Sequence, residues 1–187
     1  MKLLISTLLL VLLIGCGSNR ANLTPPPSSR TMNKAPEWFL NTPEQDGYVY
    51  TTATAVSQDM QLAINKAQLD AANQLANQLD SWMEANAKSV REENNPSDQL
   101  LSRFNATQKQ VTATFLKNYK IKKKDLQPDE GVYRAYVLLE YDEGAQNRKI
   151  LEQMKNDKEV YNAFKETKML QDLESDVEKY LERKGLK

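Results

Sequence analysis

The 187-residue chain has no histidine, a single cysteine (Cys16) and only six glycines. Without histidine it lacks the commonest general base near neutral pH and the commonest nitrogen ligand for metals. One cysteine excludes an intrachain disulfide and any thiolate cluster for zinc. The glycines stand at positions 15, 17, 47, 131, 144 and 185, too far apart to form a phosphate-binding loop. A surplus of charge is missing as well, because 25 basic side chains balance 25 acidic ones. Nucleic-acid binders need excess Lys and Arg to displace counterions from phosphate, so no nucleic-acid partner is expected. Aromatic residues make up 7% of the chain and charged residues 27%, which predicts a modest core beneath much solvated helix. Nucleophile elbows and Ser-Lys motifs are not recognisable. The chain therefore reads as a non-enzyme that calls for no cofactor and no metal.

What is present starts at the first residue. Met1-Lys2 is positive, Leu3 to Ile14 is apolar apart from Ser6 and Thr7, and Gly15-Cys16 closes the run. A secretory signal peptide has this anatomy: positive start, apolar stretch of about 7–15 residues, small residues at the cut. A membrane-spanning helix needs about 20 apolar residues, and this run is shorter. Leu13-Ile14-Gly15-Cys16 resembles the bacterial lipobox, in which the cysteine sulfur receives diacylglycerol and the new amine is acylated, as by palmitate. The plainer alternative is an ordinary cleaved signal that ends on a cysteine. The lipobox reading predicts removal of residues 1–15 and a lipid anchor on Cys16, since two or more acyl chains hold where one binds marginally. Gly17 and Ser18 follow, with no aspartate there. Aspartate at that place resembles an inner-membrane retention signal, so its absence points to the cell outer membrane with the domain facing the periplasm.

Residues 16–35, rich in Ser, Asn, Thr and Pro and including Pro25-Pro26-Pro27, read as a flexible lipidated tether. A folded α+β domain is expected over 36–143 and a charged helical tail over 144–187. Tyr48 to Val56 is β-branched and aromatic and reads as a strand. From Ser57 to about Val90 a helix is predicted, capped at Ser57 or Asp59, with Ile64, Ala67, Ala71, Leu75, Leu79 and Trp82 on one stripe. Its alanine-paved first half suits close approach to a sheet, and its bulkier second half needs a helix as partner. Asn94-Asn95-Pro96-Ser97 breaks the run, and Leu100/Leu101, Phe104, Val111 and Phe115 mark a second helix. Tyr119 to Leu126, a turn over Gln127 to Gly131, and Val132 to Tyr141 read as a β-hairpin, with Tyr133, Ala135, Val137, Leu139 and Tyr141 on its core face. The whole predicts a three-stranded antiparallel sheet packed against a long helical hairpin, plus a C-terminal helical tail. In that tail Ile150, Met154, Tyr161 and Phe164 form one stripe, and Leu170, Leu173, Val177 and Tyr180/Leu181 another, with a break expected near Asn156-Asp157. The second stripe either folds back on the domain or contacts a neighbouring copy.

Three side chains are candidate partner or ligand contacts. Trp38 lies in an aromatic pair between turn residues, where closing the core is the plainer role. Lys122 and Lys124 belong to the run Lys120, Lys122, Lys123, Lys124, which suits anionic lipid or lipopolysaccharide. Lysine on an edge strand also simply discourages intermolecular pairing. Acidic pairs such as Glu92-Glu93, Asp129-Glu130 and Asp142-Glu143 lie at predicted helix ends or turns, where carboxylates are ordinarily solvated.

Pro36-Glu37-Trp38-Phe39, then Asn41-Thr42-Pro43, the Tyr48 to Val56 strand, an alanine-stepped helix and the strand Tyr133-Arg134-Ala135-Tyr136-Val137 together resemble the Lpp-twenty family of small bacterial lipoproteins. The resemblance runs from about Pro36 to Tyr141 and implies a compact α+β domain on a lipid anchor, without catalytic residues. Some members are flagellar-envelope proteins that build rings or disks beneath the outer membrane. The expected function is a structural or interaction role in the cell envelope, with self-association or an envelope protein as partner. A lipid- or cell-wall-binding module is the alternative. A periplasmic hydrolase would need two carboxylates converging in one cleft with shifted acidity.

Overall fold

A computed structural model describes residues 34–186, which belong to one compact unit. The expected signal, lipobox with Cys16 and tether fall, up to residue 33, outside the described residues. In order, the elements are α1 (Glu37–Leu40), β1 (Val49–Ser57), α2 (Met60–Asn94), α3 (Asp98–Leu116), β2 (Lys120–Asp129), β3 (Val132–Tyr141), α4 (Glu143–Asn156), α5 (Lys158–Phe164) and α6 (Lys168–Arg183). The three strands form an antiparallel sheet in the order β1-β3-β2, so the fold is α+β as expected.

Local chemistry sets the element ends. Asp59 caps α2 by accepting the Leu62 N–H at 2.7 Å, and Asn95 ends it in the left-handed conformation at φ 42°. Ser97 then caps α3 by accepting the Leu100 N–H. The β2–β3 turn is tighter than predicted. β2 runs through Pro128 to Asp129, leaving only Glu130 and Gly131, both at positive φ (49° and 90°), as a two-residue hairpin loop. Pro128 is tolerated because β2 is an edge strand.

Ala63, Ala67 and Ala71 of α2 pack without exposure on Ala53, Ala135, Val137 and Leu139 of the sheet. Small side chains here bring the helix close enough for the Thr51 hydroxyl to donate to the Ala71 carbonyl at 3.0 Å. Further along α2, Leu75 and Leu79 meet Tyr141. One correction concerns β3. Tyr133, expected in the core, pairs with Ser57 and Pro128 at the end of the sheet and is 41% exposed, whereas Tyr136 and Leu138 on the opposite face are buried. Phe39 of α1 packs edge-on to Tyr136 at 4.9 Å, so the sheet is not open on that side.

The expected boundary at residue 143 does not appear in the packing. Residues 143–183 fold back on the helical hairpin, and their two stripes merge with its second half into the largest cluster. Val90, Leu101, Phe104 and Val111 there surround Ile150, Met154, Phe164, Leu170, Leu173 and Val177. The core is therefore larger than composition suggested, and the apolar stripe of α6 is buried rather than free for a neighbouring copy.

The break near Asn156-Asp157 has a specific cause. Asp157 accepts the Val160 N–H to cap α5, while its carboxylate takes Nε of Arg103 at 3.0 Å and Nη2 beside it. Hydrogen bonds from Arg103 foremost hold the Asp157 carboxyl below its ordinary value. A depressed folded-state value contributes stability above the unfolded-state value, which is lost as pH falls through the folded one. Asp157→Asn keeps a capping oxygen and loses the charge. Its thermal midpoint is expected below the wild type at neutral pH, with the gap closing toward about pH 3. A constant gap across that range would refute the assignment.

Candidate functional site

Among the described residues, the candidate contacts from sequence do not converge. Trp38 is half-buried beside Phe39, at 6.4 Å between ring centres, and belongs to the covering of the sheet's outer face. The lysine run is divided by the strand. A bulge between Ile121 and Lys123 shifts the register, so Lys122 meets Glu140 on one face while Lys124 stands opposite Val137, on the face turned to α2. Burial pushes the Glu140 carboxyl up, but hydrogen bonds from Lys122 and from Tyr50, at 3.0 Å, outweigh it and the net shift is downward. One lysine of the supposed anionic-lipid patch is thereby already neutralised.

A different place gathers polar side chains. The segment Thr42–Tyr50, the start of α4 and the outer face of α6 enclose an open cleft of about 580 Å³. Its geometry follows from two glycines. Gly47 turns the chain at φ 74° before β1, a conformation that costs a residue with a Cβ but not glycine. Its carbonyl accepts the Gly144 N–H at 2.9 Å, and the Tyr180 ring of α6 lies directly on Gly144. Arg183 donates to the Asp46 carbonyl, and Lys184 lies over the Tyr48 ring at 5.2 Å, closing the far end of α6 onto the same segment.

Within the cleft, Asp142 caps α4 by accepting the Ala145 N–H at 2.9 Å, and its half-buried neighbour Glu143 lines the wall. Glu143 was expected to be solvated. Burial foremost, and then the charge of Asp176, raise its carboxyl above the ordinary value. Its carboxylate makes no hydrogen bond or ion pair among the described residues. One turn on, Asn147 is 7% exposed and its Oδ1 has no donor. Glu143, Asn147 and Asp176 also line a second pocket of about 390 Å³ with Trp82, Asn86 and Lys168, so the three form the partition between two cavities.

Part of what a hydrolase requires is thus met, with two carboxylates on one cleft and one of raised proton affinity. Asp176, however, is a solvated carboxylate paired with Lys179 at 3.4 Å, its side chain 60% exposed. Among the described residues no three Asp, Glu, Cys or His side chains form a metal-binding group, and no helix is long and apolar enough to cross a membrane. The sequence hid this site because α6 was not anchored to anything from its pattern alone. Only the four-residue spacing of Glu143 and Asn147 on one helix face was legible. No family model, curated protein or solved structure matches the chain.

Proposed function

We propose that the chain is an outer-membrane lipoprotein, cut before Cys16 and held by acyl chains on that cysteine, whose domain serves as an interaction module in the cell envelope. The observation that carries this is Leu13-Ile14-Gly15-Cys16 at the end of a short apolar run behind Met1-Lys2. The order of elements supports kinship with the Lpp-twenty lipoproteins: β1, an alanine-faced helix and a Tyr/Val-rich β3 lie in the sequence order that the resemblance implies. An interaction role is favoured over ligand enclosure because both described cavities of the α4–α6 wall are open and polar-lined. With the α6 stripe buried, contact with other copies or with an envelope protein would use other surfaces. Met60, Leu62 and Leu69 are the large apolar side chains left exposed along α2.

Cys16→Ala is expected to abolish lipidation and move the protein from the membrane to the soluble fraction. Metabolic labelling with a fatty acid, together with fractionation, checks this. A Cys16→Ala protein that stays in the membrane fraction would overturn the anchor. A mature protein that sizes as a strict monomer and captures nothing from envelope extracts would overturn the interaction role.

A further inference from the structure

We infer that the outer edge of β1 docks a second copy of this chain, paired antiparallel about Ala53 so that the two sheets join into one. The inference deepens the interaction role proposed above and rests on it, but not on the Cys16 anchor. Among the described residues the strand order β1-β3-β2 leaves two edges, and they are built differently. β2 carries Lys120, Lys122, Lys123 and Lys124, a bulge between Ile121 and Lys123, and Pro128. Charge, bulges and proline are the devices that keep an edge strand from pairing with another chain. β1 has none of them: its nine residues include no charge and no proline, and its register against β3 is unbroken. One edge is guarded and the other is bare.

The β1 sequence also complements its own reverse. With Ala53 on a two-fold axis, Tyr50 meets the partner's Val56 and Thr52 meets the partner's Thr54. An aromatic beside a β-branched side chain, and threonine beside threonine, are favourable cross-strand neighbours, and no like charges meet.

The helix above the strand adds charge complementarity. Ala63, Ala67 and Ala71 of α2 face the sheet. One position on, Gln68 turns to the β2 side, where it donates to the Tyr119 hydroxyl at 3.1 Å. One position back, Leu62, Lys66 and Asp70 therefore take the opposite flank, over the β1 edge. All three are exposed, and neither Lys66 nor Asp70 makes an ion pair among the described residues. The Thr51 hydroxyl on the Ala71 carbonyl sets the level of the helix over the strand. Ala53 lies about 7 Å further along β1, a distance α2 covers in about four residues, so the axis passes about midway between Lys66 and Asp70. An antiparallel neighbour then sets each lysine against the other copy's aspartate. The segment ahead of Lys34 is a poorer occupant. The Lys34 carbonyl accepts from Gln127 of β2 at 2.8 Å, on the far edge, and Pro25-Pro26-Pro27 has no N–H to add to a ladder.

The mature protein in detergent is tested by mild oxidation and by sedimentation, with wild type as the control for Cys16. Directly opposed residues of an antiparallel pair have Cα atoms about 4.5–5.5 Å apart, within disulfide reach, whereas diagonal neighbours at about 7–8 Å are beyond it. Mixed Thr52→Cys and Thr54→Cys proteins are therefore expected to give about tenfold more disulfide-linked dimer than either alone. Thr52→Lys places a guard on β1 and weakens association about tenfold or more, while its melting temperature in dilute solution stays that of the wild type. Lys66→Glu sets like charges together and weakens association about threefold or more, and adding Asp70→Lys restores it. Lys123→Glu, on the guarded edge, leaves association unchanged. A strict monomer at every concentration overturns the inference, and an envelope protein is then the partner left to the interaction role. A dimer that forms no mixed disulfide and withstands both Thr52→Lys and Lys66→Glu overturns it too, with self-association still standing on another surface. Equal disulfide yields from the mixture and from either variant alone overturn the register.

Discussion

Phe164→Ala is expected to destabilise the entire domain by about 3–5 kcal/mol, and to do so in a single transition. Phe164 has no exposed surface and meets the Phe104 ring edge-on at 5.3 Å between centres. Removing the ring loses its transfer energy and leaves a cavity that the flanking α3, α5 and α6 cannot fill without losing their own contacts. Against a typical total of about 5–15 kcal/mol, that is a large share. The size of the loss is less telling than its reach. If residues 143–186 were an appendage, the variant would melt that region first and leave the sheet standing. Because the same cluster holds Val90 of α2 and Phe104 of α3, the sheet and the C-terminal helices should unfold together. Urea unfolding followed by far-ultraviolet circular dichroism and by tryptophan fluorescence tests this, since Trp38 lies beside the sheet and Trp82 beside the cluster. Coincident midpoints are expected. Two separated transitions, or a loss under about 1 kcal/mol, would contradict the packing. Phe104→Ala combined with Phe164→Ala should cost less than the sum of the two, because the rings share one contact.

How much of this was legible in the sequence depends on the range of the interaction involved. The α2 stripe was readable because Ala63, Ala67 and Ala71 recur at the helical period and their smallness states what they face. The breaks at Asn95-Pro96 and at Asp157 were readable because capping is local. By contrast, the stripes of α4 and α6 look the same in sequence whether they face their own domain or another copy. Only the volume left beside Phe104 and Val111 decides between the two. Gln127-Pro128-Asp129 carries turn chemistry and suggests an earlier turn, yet β2 runs through Asp129 and positive φ at Glu130 and Gly131 makes the turn there. The partition site is the hardest case. Glu143 stands next to a capping aspartate and looks solvated, and its surroundings arise from Tyr180 and Asp176, more than thirty residues downstream.

That arrangement turns on Gly144, and Gly144→Ala is expected to destabilise the domain by about 1–3 kcal/mol, the usual cost of overpacking. Propensity alone predicts the opposite sign, since alanine is about 1 kcal/mol better than glycine within a helix. Space decides against propensity here. A Cβ at residue 144 would lie no more than 2.8 Å from three atoms of the Tyr180 ring, a side chain that is itself buried. The ring cannot swing aside freely. Its hydroxyl donates to Asp142 at 3.4 Å, and Lys184 lies over its face at 5.4 Å. The strain must therefore pass to the whole of α6, lifting Asp176, Lys179 and Arg183 away from the cleft they line. One measurement separates this from a general loss of folding. With Tyr180→Leu as background the collision is relieved, so Gly144→Ala becomes neutral or stabilising and the propensity term emerges. If Gly144→Ala proves as stable as the wild type with tyrosine retained at 180, α6 does not sit on α4 in this way.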